Sequence, residues 1–327
     1  MKSRRTFLAA AAAGAASGLA LPAWAQEGAV SDFPNKTIRY VVPFPAGGLT
    51  DVMARLVGQK VGESLGQPVV VDNKPGANAN LGADLVAKAA PDGYTWLAVT
   101  LAHAVNQSLF SNLPYSMTRN LMPVAHLANS PLVLVVPASS SIRSLQEFLE
   151  QARSRTLNAG SSGNGTPPHL GLELLMLNGK FKAQHIPYKG GAPSLNDLMG
   201  SQLDFIVSNL PECSSYVKGH KLRALAITSA QRHALLPEVP TFAEAGLSGM
   251  ELENWTALMM PAGTPDRIVS RVAALATREV QQPAMRERLA GMGFTPTGLG
   301  PAEFEAILRK DIERWRTIIK ERGITAG

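Results

Sequence analysis

Two short stretches of this sequence combine glycines, hydroxyls and helix-start residues in a way that suits holding an anion. The first is Phe44-Pro45-Ala46-Gly47-Gly48-Leu49-Thr50-Asp51, which follows the strand-like run Tyr40-Val41-Val42. Gly47 and Gly48 let the backbone turn, Thr50 or Asp51 suits a helix cap, and Val52, Met53, Leu56 and Val57 then fall at helical spacing. The second is the small-residue loop from Ser161 to His169, with hydroxyls at Ser161, Ser162 and Thr166 and two prolines fit for a first helical turn. A strand, a glycine turn and a helix start leave unpaired N–H groups and the positive end of a helix dipole facing a cleft. The plain alternatives are an ordinary βα connection and a flexible linker. Prolines abutting a periodic helix argue against the linker, and the repeated design favours two anion-ready junctions.

The elements that must position these loops alternate between strands and helices. Strands are expected over 68–72, 94–100, 132–137, 184–188, 202–207, 222–228 and 255–261. A helix over 81–90 should turn Leu81, Leu85, Val86 and Ala89 inward. One after Pro168 should do the same with Leu170, Leu174, Leu175 and Leu177. Two amphipathic helices, over 265–280 and 301–319, close the chain. Alternating strands and helices imply a mostly parallel sheet covered on both faces, with ligands beyond the carboxyl ends of the strands. That rule sets 44–51 beside Thr100 to His103.

Lys2, Arg4 and Arg5 precede an Ala/Gly/Leu-rich run and Ala23-Trp24-Ala25, the make-up of a secretory signal peptide over 1–25, cleaved after Ala25. Ser3-Arg4-Arg5-Thr6-Phe7-Leu8 resembles a twin-arginine signal, with a Sec signal as the alternative. The mature chain is expected in the periplasm. Its formal charge of +6 includes three positive charges of that leader, and the remaining basic residues are scattered among acids. Nucleic-acid binding is unsupported. The single cysteine, Cys213, excludes an intramolecular disulfide and a cysteine metal cluster, and suits a small packing residue.

VVPFPAGGLTD, DNKPGANANLGADLVAKAAPDGYTWL, SSGNGTPPHL, HIPYKGGAPSLNDLMGSQLDF, VKGHKLRALAITS, LPEVPTFAEAG and PAGTP occur in one order along the chain. In this the sequence resembles the extracytoplasmic solute receptors of tripartite tricarboxylate transporters, the Bug receptors, over essentially the whole mature chain. The resemblance implies an α/β, two-lobed type II periplasmic-binding-protein fold with two crossover segments: lobe 1 from 26–128 and 254–327, lobe 2 from 129–253. It implies a small organic acid held between the lobes and passed to membrane permease subunits, by a monomer without cofactor or metal. A sensor kinase is a further partner that some relatives have. Carried over, the first half of the site is Phe44, Gly47, Gly48, Thr50 and Asp51 with Thr100, Ala102 and His103. The second half is Ser161, Gly163, Thr166 and His169 with Tyr188 and Asn209.

There are departures from the family pattern. Asn78-Ala79 stand where the family often has two glycines, and Ser201 stands where a glycine is usual. His103 falls in a variable loop, as a ligand-tuning group or a solvated one. Asp51 is either a helix cap or a partner for a ligand ammonium. The rival class is a secreted hydrolase acting on a carboxylic acid derivative. Ser162-Gly163 and His169 lie too close together for a triad, and no G-x-S-x-G elbow is present. A metal receptor built on His103, His169 and His185 lacks the usual ligand spacing.

Overall fold

A computed structural model describes residues 32–325; the expected signal peptide lies outside them. The folded unit runs from Pro34 onward. Its first part places β1 (Ile38–Val42), α1 (Leu49–Leu65), β2 (Val69–Asn73), α2 (Asn80–Ala87), β3 (Thr95–Thr100) and α3 (Leu101–Leu109). β1 pairs in parallel with both β2 and β3. β4 (Leu121–Pro137) then leads to a second set: α4 (Leu145–Ser154), β5 (Leu157–Ser161), α5 (Pro167–Gly179), β6 (Ala183–Pro187), α6 (Gly191–Met199), β7 (Phe205–Asn209), α7 (Leu210–Lys218) and β8 (Leu222–Ile227). Here β5 pairs in parallel with β6 and β7. β9 (Glu253–Pro261), α8 (Asp266–Gln281), α9 (Pro283–Gly291), β10 (Thr295–Leu299) and α10 (Pro301–Arg322) complete the chain.

The fold is the expected α/β one, with two parallel trios of strands. They are joined by strands that run the other way, so the sheet is mixed. β9 is antiparallel to β3 and β4, and β4 is antiparallel to β7 and β8. β4 is the pivot. Up to Pro131 it pairs with β9, and from Leu132 it pairs with β7 and β8. Asn129 Nδ2 donates to Glu253 Oε2 at 3.0 Å, which ties the two crossing strands where they change halves. The C-terminal helix is fastened to this junction too, through Trp255 Nε1 donating to Asp311 Oδ2 at 2.8 Å. No helix among the described residues is long and apolar enough to cross a membrane.

Several expectations need correcting. Leu81 and Leu177 are exposed rather than inward. α2 instead buries Gly82 and Ala83, because it lies so close to the chain that a Cβ on Gly82 would meet Pro43 Cβ at 2.8 Å. His103 lies in helix α3, not in a loop. Ala77, Asn78 and Ala79 all take positive φ (45°, 52° and 71°), and so does Ser201 at 57°. Left-handed backbone favours glycine, so this chain carries side chains where glycine would be less strained.

Candidate functional site

A cavity of about 110 Å³ opens where β1, β3 and β7 end. Phe44, Gly48, Thr50 and Thr100 line it from the first set of strands. Thr166, Lys189, Gly190, Asn209 and Glu212 line it from the second, and Asn254 from the crossover. Helices α1, α5, α6 and α7 all begin at its wall, with Gly48, Thr166, Gly190 and Asn209 as their N-caps. Four helix starts around one small space give it positive potential without any arginine in the lining.

The β1–α1 loop is fixed from behind by Asp51. This buried carboxylate accepts from the Gly47 N–H at 2.9 Å, from Arg55 Nε at 2.9 Å and from Asn73 Nδ2 at 2.9 Å. The same Asn73 amide donates to the Phe44 carbonyl at 3.0 Å. Burial opposes the charge on Asp51, but the bonds from Arg55, Gly47 and Asn73 outweigh it and hold the carboxyl below its usual range. Gly47, at φ 82°, makes the turn that brings its N–H onto Asp51. Neither Gly47 nor Asp51 lines the cavity.

Thr100 closes the next junction. Its Oγ1 accepts from the Ala102 N–H at 3.3 Å, while His103 Nδ1 accepts from the Thr100 N–H at 3.1 Å, a reciprocal cap. Burial pushes His103 down to about 4, so its ring is neutral at pH 7. Its edge meets Phe44, with ring centroids 6.0 Å apart. Thr100 and Phe44 thus face the cavity, and Ala102 and His103 stand behind them.

The second loop is held by hydroxyls and imidazoles. Thr166 Oγ1 donates to the Gly163 carbonyl at 2.6 Å. Ser161 Oγ takes the Gly163 N–H at 3.1 Å and meets His185 Nε2 at 2.6 Å. His169 Nδ1 accepts from the Gly165 N–H at 3.0 Å, its Nε2 faces Glu173 at 3.4 Å, and its ring stacks on His185. Burial first, and then His169, push His185 down to about 4. Tyr188 donates to Asp197 at 2.6 Å, and burial followed by that carboxylate raise it to about 12. Of this half, Thr166 and Asn209 line the cavity. Ser161, Gly163, His169 and Tyr188 form the support beneath.

Among the lining residues that sequence reasoning missed are Lys189, Gly190, Asn254 and Glu212. Asn254 and Glu212 join Asn209 in a relay across the cavity. Asn254 Nδ2 donates to Asn209 Oδ1 at 3.0 Å, and Asn209 Nδ2 donates to Glu212 Oε2 at 2.8 Å. Glu212 Oε1 then faces the Leu49 N–H at 3.5 Å, the first amide of α1. An acid three residues past an N-cap was a visible signal, yet it reads equally as an ordinary first-turn carboxylate. Cys213 beside it is fully buried, and burial pushes its thiol up to about 12. Among the described residues no three His, Cys, Asp or Glu side chains are grouped to hold a metal.

The profile of tripartite tricarboxylate transporter family receptors matches residues 53–324. The chain belongs to this family. It is 36% identical to the protein BugT of Bordetella pertussis over 313 residues, 94% of each chain. Among solved structures, an R. palustris protein with adipate superposes at a TM-score of 0.87 with 33% identity, covering 90% of this chain and 99% of the other. MatC from Rhodopseudomonas palustris with bound malate superposes at 0.82 with 32% identity, covering 88% and 100%. The fold of this receptor is therefore the two-lobed one of periplasmic binding proteins, which BugD shares at a TM-score of 0.86.

Proposed function

We propose that this receptor captures a small carboxylate solute in the cavity between its two halves and delivers it to the permease subunits of a tripartite tricarboxylate transporter. The observation that carries this is the convergence of four helix N-termini, three threonines and one lysine on a single small cavity between the two strand trios. Charge-assisted bonds from free helix-start amides, the Lys189 ammonium and the Thr50 and Thr100 hydroxyls suit a carboxylate, while the Thr166 hydroxyl is committed to Gly163. Two structural relatives are described with bound malate and adipate, both carboxylates. Phe44, Gly48, Thr50 and Thr100 would touch the solute from one side, and Thr166 and Asn209 from the other. Gly47, Asp51, Ala102, His103, Ser161, Gly163, His169 and Tyr188 would hold those contacts in place.

In this reading lobe 1 is 26–128 with 254–327, lobe 2 is 129–253, and solute binding closes one on the other by a hinge at the crossing strands. The receptor works as a monomer in the periplasm after loss of residues 1–25, and a sensor kinase is a second membrane partner for the closed form. It carries out no turnover. Ser161 and His185 touch, but Ser161 is fully buried away from the cavity, and the nearby Glu173 pairs with His169 instead.

Thermal-shift screening of the mature protein against an organic-acid library tests the proposal. A solute at a hundred times its Kd adds about 2.7 kcal/mol to stability. At least one small acid should raise Tm, with its mass unchanged after incubation. No shift from any acid, or conversion of the hit to a product, contradicts the reading.

A further inference from the structure

One carboxyl group stands in the wall of a cavity whose other features all favour an anion. Glu212 enters from the first turn of α7 and touches both sides. Its Oε2 accepts from Asn209 at 2.8 Å, and its Oε1 faces the Leu49 N–H at 3.5 Å, a long contact. It is confined from behind as well: a Cβ built on Gly191 would lie 2.5 Å from Oε2. Burial pushes Glu212 upward, against the bonds from Asn209 and Leu49. The other charged residue in the lining is Lys189, which is exposed.

We infer that Glu212 is a specificity-determining residue that selects a solute carrying a hydroxyl or ammonium donor close to its carboxylate, a role that depends on the cavity being the solute site proposed above. A carboxylate offers about four acceptor positions. Asn209 fills one with good geometry and Leu49 reaches a second only at long range. Closing the cavity over a solute removes water from the rest, and a buried acceptor left unfilled costs stability. A protic group on the solute fills that place with a charge-assisted bond. An unsubstituted diacid brings only methylenes or another carboxylate. A second carboxylate against Glu212 would force one of the two to take up a proton. The solute's own carboxylate is then held away from Glu212, at Lys189 and the hydroxyls of Thr50 and Thr100. Hydroxy acids and amino acids share this chemistry.

The test is titration calorimetry on the mature protein with three length-matched series. These are succinate, malate and aspartate; glutarate, 2-hydroxyglutarate and glutamate; and adipate, 2-hydroxyadipate and 2-aminoadipate. The wild type should bind the hydroxy or the amino member of one series at least about tenfold more tightly than its unsubstituted diacid, one good hydrogen bond's worth of discrimination. The arm that wins tells hydroxyl from ammonium. Glu212→Gln should shrink that ratio several-fold while its circular dichroism stays unchanged. Should Glu212→Gln fail to fold, the wild-type ratio decides alone. Diacids binding as tightly as their substituted partners, or a ratio untouched by Glu212→Gln, overturns the inference and leaves the receptor standing. No binding of any acid overturns both.

Discussion

The two loops that face each other across the cavity share one design and are braced by opposite means. The β1–α1 loop rests on an ionised group, Asp51, which gathers Gly47, Arg55 and Asn73. The loop before α5 rests on hydroxyls and imidazoles: Thr166 and Ser161 on Gly163, His169 on Gly165, His185 under Ser161. A buried carboxylate with three donors fixes a turn tightly, because hydrogen bonds to charge are about twice as strong as neutral ones. In the second network His185 titrates in a different window from Asp51. The first jaw is therefore braced by charge and the second by hydroxyls and imidazoles.

The sharpest way to break that contrast is Asp51→Ala. It leaves the Gly47 N–H and Asn73 amide without their acceptor and should cost about 3 kcal/mol in urea unfolding at pH 7, with exposed Arg55 contributing little of it. Asp51 is held below its unfolded pKa. Its stabilisation is thus complete above that value and lost as pH falls through the folded one. The gap between wild type and Asp51→Asn should narrow as unfolding is repeated at successively lower pH below the ordinary aspartate range.

Gly191→Ala comes next. Its Cβ would fall 2.5 Å from Glu212 Oε2, so the carboxyl must swing aside and loosen its bond from Asn209, at a cost of roughly 1 kcal/mol. Chemical denaturation reads this directly, and the damage should be smaller in Glu212→Ala, where the obstruction is gone.

Ser161→Ala should cost about 1 kcal/mol by the same measurement, the worth of a neutral bond. His185 is held below its unfolded pKa as a base. The unfolded chain therefore binds the extra proton between about pH 6.5 and about 4, and stability falls as pH drops through that range. His185→Gln should flatten this part of the stability–pH curve and leave the Asp51 part below it intact.

The smallest effect has the opposite sign. Ala79 sits at φ 71°, and Ala79→Gly should raise stability by up to about 1 kcal/mol, visible as a higher Tm.

Both jaws were legible in the sequence, because a strand, a glycine turn and a helix start are consecutive in the chain. The junctions at Gly48, Thr100, Thr166 and Asn209 all reach the cavity. Where sequence reasoning failed, the cause lay in distance along the chain. Glu212 acquires its meaning only when α7 meets Leu49, 163 residues away. His169 and Ser161 have the right chemistry for ligand contact, but their bonds are spent on Gly163, Gly165, Glu173 and His185 rather than turned to the cavity. Leu81 fits a helical stripe, yet the close approach of Gly82 to Pro43 turns the other face inward. β10, with its Thr-Pro-Thr-Gly start, has no alternation to announce it and owes its pairing to β4.

The most direct test of a solute clasped by both jaws is an amide NMR titration of the mature protein with malate, or with whichever acid raises Tm most. The account predicts that Gly48, Thr50, Thr166 and Gly190 shift together, saturating at one Kd. Shifts confined to one side of the cavity, or to residues outside it, would contradict it.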